Sequence, residues 1–83
     1  MASYQLSKHI RVSITGREHN PPHVHVYFGG KVARVCIQDG SLLSGDPMPA
    51  RVSATVLTYI AKNKIALLQT WKTLNPQLRN ENS

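Results

Sequence analysis

Eighty-three residues allow one domain with one hydrophobic core, because so short a chain buries too small a share of its surface to support two. A single cysteine, Cys36, excludes an internal disulfide and a four-cysteine zinc framework, and no stretch approaches the roughly 20 apolar residues that a membrane helix needs. Ten lysines and arginines against four acids give a formal charge of +6, which favours nucleic acid or an acidic protein as partner.

No two basic residues are adjacent, so the charge also fits plain solubility. The residues before His9 lack the apolar run and cleavage site of a secretory signal, which with the lone cysteine points to a soluble protein of the reducing cytoplasm. The chain reads as a single domain over 1–83, with an ordered core at about 8–75 and a polar tail at 76–83.

From His9 to Thr15 apolar and polar residues alternate, with Ile10, Val12 and Ile14 opposed to Arg11, Ser13 and Thr15, the pattern of a half-buried strand. The following Gly16-Arg17-Glu18-His19-Asn20-Pro21-Pro22 is a loop, since prolines cannot donate to a sheet ladder. Alternation resumes from His23 to Phe28. Gly29-Gly30 then marks a two-residue hairpin, because both turn positions tolerate positive φ, and Lys31 to Ile37 is the returning strand. Asp39-Gly40 turns the chain again into a short fourth strand, Ser41 to Leu43.

Pro47 and Pro49 suit a first helical turn that Asp46 could cap. Val52, Val56, Tyr59 and Ile60, then Leu67, Leu68, Trp71 and Leu74, recur at helical spacing on either side of Lys62-Asn63-Lys64, so Asn63 either caps a second helix or decorates one long one. Asn75-Pro76 ends the helical pattern. The expected fold is α+β, an antiparallel four-stranded meander followed by one long or two short C-terminal helices on one face.

With Gly29-Gly30 as the turn, Val24, Val26 and Phe28 face the helices, while His23, His25 and Tyr27 point to the other face opposite Cys36, Arg34 and Val32. Arg11 and Ser13 join that outer face, at a register that a long loop leaves open. His23 and His25 titrate near neutrality and, with Arg34 to hold a phosphate, form a candidate catalytic set for metal-independent, ribonuclease-like cleavage without cofactors. Arg11, Ser13, Glu18, His19, Asn20 and Tyr27 are candidate contacts to nucleic acid or a partner.

Metal binding is the fallback reading, through His19, His23 and His25 if the proline loop folds back. The only acid nearby is Glu18, and four clear ligands are missing, so no metal is the first expectation. A non-enzymatic binding face made of the same residues is the further alternative. His9 stands apart, Cys36 reads as an inert thiol on the sheet, and Tyr59 and Trp71 read as core.

The run from Glu18 through Pro21-Pro22-His23-Val24-His25 to Gly29, with Asp39-Gly40-Ser41-Leu42-Leu43-Ser44-Gly45, Pro49 and Leu67-Leu68-Gln69-Thr70-Trp71, resembles the small bacterial proteins called domain of unknown function 4160. The likeness spans about Ile10 to Leu74. It implies a toxin of the DhiT group of type II toxin-antitoxin pairs, with an antitoxin of the family called domain of unknown function 2442 as partner; the resemblance names that context and no target, and RNA is the target that the charge and the histidines suggest. Around the helix break this chain reads Asn63-Lys64-Ile65-Ala66 where that family often has His-Arg-Asp-Glu.

Overall fold

The structure, a computed structural model, describes residues 1–77; beyond residue 77 the polar tail expected at 76–83 lies outside the described residues. Strands β1 (Ala2–Ser7), β2 (Ile10–Ile14), β3 (His23–Phe28), β4 (Lys31–Cys36) and β5 (Leu42–Gly45) form one antiparallel sheet in chain order, and a helix, α1 (Ala50–Leu74), follows. The sheet therefore has five strands, not four. The added strand, β1, precedes residue 8, where the ordered core was expected to begin. Its period-two pattern is present in Ala2, Tyr4 and Leu6 against Ser3, Gln5 and Ser7, but the turn into β2 is Lys8-His9, with no glycine or asparagine to announce it. The Gln5 amide closes that turn instead, donating to the carbonyls of Ser7 and Ile10 at 2.6 and 3.3 Å.

The central hairpin has the register that its turn dictates. Gly29 and Gly30 have φ of 52° and 75°, and Val24 pairs with Val35, His25 with Arg34 and Val26 with Ala33. On the other side of β3, Val12 pairs with Val26, Ser13 with His25 and Arg11 with Tyr27, which fixes the register of β2 that the loop length left open. Side-chain alternation then gives one apolar face and one polar face.

Helix α1 covers the apolar face over β1, β2 and β3 and leaves β5 exposed. Val56, Ile60, Leu67 and Trp71, on one stripe of the helix, are buried with Val12, Ile14, Val24, Val26 and Val35. One helix runs the whole length, kinked at Asn63, whose backbone is non-helical (φ −120°, ψ 19°) and whose side-chain amide donates to the Tyr59 carbonyl at 2.9 Å. A side chain that takes a helix carbonyl in this way is a sufficient cause for a kink. Asp46 does not cap the helix. Pro49 occupies the N-cap position with no side-chain bond, and the Asp46 carboxylate accepts from the Val32 N–H at 3.3 Å, tying the end of β5 to β4. Among the described residues no helix is long and apolar enough to cross a membrane.

At Gly45, φ is +95°, and a Cβ there would sit 2.5 Å from the Val32 carbonyl oxygen and 2.8 Å from the Ala33 Cα. Backbone atoms cannot swing aside as a flexible side chain can. Gly45→Ala is expected to destabilise the protein by about 2–3 kcal/mol, lowering the urea midpoint without changing the slope of the transition.

Candidate functional site

The loop from Thr15 to Pro22 carries Glu18, one member of the candidate site, and its shape is set from the far end of the chain. Asn75, just past the helix and 1% exposed, accepts from the Glu18 N–H through Oδ1 at 2.7 Å and donates through Nδ2 to the Thr15 carbonyl and the Trp71 carbonyl, both at 3.0 Å. Gln77 adds a bond to the Glu18 carbonyl at 3.2 Å. Within the loop the Thr15 hydroxyl donates to Glu18 Oε1 at 2.8 Å, which aims the carboxylate. The Asn20-Pro21 peptide is cis, and the Pro22 carbonyl accepts from the Ile37 N–H at 3.0 Å, so the chain enters β3 paired with the residue that follows β4.

This loop brings Glu18 over the two histidines of β3. Glu18 Oε2 lies 3.6 Å from His23 Nε2, and Glu18 Oε1 lies 3.8 Å from His25 Nε2. The two imidazoles meet edge to face with centroids 5.3 Å apart, and His23 also packs on Trp71 at 4.8 Å. His23 Nδ1 lies 3.0 Å from the Pro21 carbonyl oxygen. A carbonyl can only accept, so in the neutral imidazole this contact assigns the proton to Nδ1 and leaves the Nε2 lone pair facing Glu18. That Nε2 is buried and has no hydrogen-bond partner; the same holds for His25 Nδ1 and Ser13 Oγ.

Burial by itself raises the Glu18 pKa, but the Thr15 hydroxyl bond, the charges of His23 and His25 when protonated and that of Arg34 together outweigh it and hold the carboxyl below its ordinary range. For His25 burial is the largest influence; with the charges of His23 and Arg34 it overcomes the pull of Glu18 and holds the imidazole below its usual value. The cluster thus favours an ionised carboxylate beside a neutral His25. Glu18, His23 and His25 each offer one ligand atom, all within 4.8 Å of one another, and they are the residues that could hold a metal.

The sequence-predicted residues fall in different parts of the site. His23, His25 and Glu18 come together, although Glu18 had been read as a partner contact and not as a member of the cluster. Arg34 is the exposed cross-strand partner of His25, and Arg11 is exposed with its guanidinium 4.9 Å over the Tyr27 ring, so these three residues form the open part of the polar face. Ser13 and the His23 side chain, 2% and 6% exposed, lie beneath the surface. His19 and Asn20 are exposed on the loop, and the folded-back arrangement supplies Glu18, not His19, as third member beside the histidines. Asn75 escaped the sequence reading. Its one signal is an asparagine between a helix end and a proline.

A basic α+β protein with a carboxylate–imidazole cluster beside a cationic sheet face is the class these features define. The chain belongs to the family described as Domain of unknown function (DUF4160), which matches residues 10–72 and so takes in the loop, the histidines and most of the helix. No curated protein and no solved structure matches it.

Replacing Asn75 by alanine removes the acceptor of the Glu18 N–H and a donor to the Thr15 carbonyl in a buried place. The expected cost is about 2–4 kcal/mol in chemical denaturation. The loop around Glu18 should also lose amide-exchange protection before the sheet does, because it loses its anchor to the helix.

Proposed function

We propose that this protein is the toxin-like member of a bacterial type II toxin–antitoxin pair and that it engages RNA through the sheet face opposite the helix. The observation that carries this reading is the open row beside the histidines. Arg34 stands next to His25, and Arg11 lies over Tyr27, on a chain whose formal charge is +6. Two guanidiniums with a half-exposed aromatic ring between strands suit a single-stranded polyanion, which offers phosphates to the cations and base faces to the ring.

Resemblance to the DhiT group supports the toxin context. An acidic antitoxin of the type called domain of unknown function 2442 would neutralise the protein most simply by covering the same cations, so target and antitoxin would compete for one face. In a catalytic version His25 and Glu18, both still partly open to solvent, stand nearest to an RNA phosphate held by Arg34, while His23 orders them from below.

Induced expression in a bacterium should arrest growth, and the adjacent gene should restore it. The Arg11→Ala, Arg34→Ala double variant should grow normally at equal protein level. In binding assays the wild type should hold single-stranded RNA with an affinity that falls steeply between about 50 and 200 mM salt, with a shallower slope in the double variant. Normal growth on expression of the wild type alone, with no RNA binding at low salt, would remove the reading. RNA binding with intact RNA after prolonged incubation would mark a non-enzymatic binding module.

A further inference from the structure

With His23 neutral and Glu18 ionised, lone pairs face one another in the cluster. Pro21 holds the proton of His23 on Nδ1, so Nε2 presents a lone pair, and 3.6 Å away the ionised Glu18 carboxylate presents another. Thr15 occupies Oε1 of that carboxylate, and the buried His23 Nε2, on a side chain 6% exposed, has no hydrogen-bond partner. A buried acceptor left unpaired beside an anion is costly, and a cation between the two relieves both terms.

We propose that Glu18, His23 and His25 bind one divalent transition-metal cation, with Zn²⁺ as the best fit, through a carboxylate oxygen and the two Nε2 atoms. Bonds of about 2.0–2.1 Å at tetrahedral angles place ligand atoms about 3.4 Å apart. Glu18 Oε2 lies 3.6 Å from His23 Nε2 and Glu18 Oε1 lies 3.8 Å from His25 Nε2, and one ligand atom from each of the three residues lies within 4.8 Å of the others, so rotation of the carboxylate and movement of the imidazoles toward one oxygen close the site. Two imidazoles and one carboxylate select borderline cations over Ca²⁺ or Mg²⁺, which take oxygen ligands. The Pro21 carbonyl on His23 Nδ1 is the outer bond that fixes a metal-binding imidazole in its tautomer, and Trp71 packs against the same ring.

Three protein ligands leave a position for water or a substrate oxygen, the arrangement of catalytic zinc sites, whereas structural sites close with four. Side-chain exposures of 23% for Glu18 and 13% for His25 give the ion and its fourth ligand a way in from the sheet face. Exposed Arg34 lies on that side and opposes the cation, but its charge is screened by solvent and stands ready for the anionic group that the metal would bind. The ion's placement rests on cluster geometry alone and does not depend on the toxin reading.

The full-length protein, stripped with chelator and dialysed, should take up one equivalent of Zn²⁺ in calorimetry and gain thermal stability with added zinc. Cobalt(II) should give the visible absorption of a four-coordinate site. Glu18→Gln and His25→Asn, at half-buried positions, should each weaken zinc by at least about tenfold with unchanged far-ultraviolet circular dichroism, whereas His9→Ala and His19→Ala should bind as the wild type does. No saturable one-equivalent phase in the wild type would overturn the proposal, as would a loss in His19→Ala equal to that in His25→Asn. Because zinc is the sole probe, failure here is separable from failure to bind RNA or to arrest growth.

Discussion

The side chain of Asn75 joins parts of the chain that are 57 and 60 residues apart, and the candidate site depends on that join. An amide offers two N–H donors and one carbonyl acceptor, and all of these are used in a place where water cannot substitute. The bonds bring the end of the helix, the end of β2 and the N–H of Glu18 to one point. Without them the loop would be held by the Thr15–Glu18 bond within it and by its entry into β3. The carboxylate would then have no fixed place over the histidines.

The sheet supplies the other half. Alternation along β3 sends Val24, Val26 and Phe28 into the core under α1 and turns His25 and Tyr27 the other way, so core and site are two faces of the same six residues. His23 belongs to both. As the first residue of the strand it is buried against Trp71 on the helix and still meets His25 and Glu18, which couples the packing of the last helical turns to the geometry of the cluster. A loosened helix end would therefore disturb the site through Asn75 and through Trp71.

Where a local rule was sufficient, the sequence could be read. Gly29-Gly30 dictated the hairpin and its register, so His25 opposite Arg34 was legible, as were the apolar stripe of α1 and its stop before Pro76. Strand β1 was obscured by the unremarkable turn Lys8-His9, which gets its closing bonds from Gln5 instead of from turn residues. Asp46 looked like a helix cap because helix caps and strand-end anchors draw on the same side chain. For the site, the histidines could be placed on a face, but the identity of their third companion could not. Whether His19 or Glu18 turned inward was decided by contacts with Asn75 and Thr15, one of them distant in sequence. Periodicity carries no information about such a contact.

The central claim is that Asn75 holds Glu18 against the two histidines, and site-resolved pH titration by nuclear magnetic resonance tests it most directly. In the metal-free wild type, Glu18 should titrate below the ordinary carboxylate range and His25 below the ordinary imidazole range. In Asn75→Ala both should move upward toward ordinary values. Glu18 would lose its positive neighbours, and His25 would gain water. Shifted values that persist unchanged in the folded variant would contradict the account.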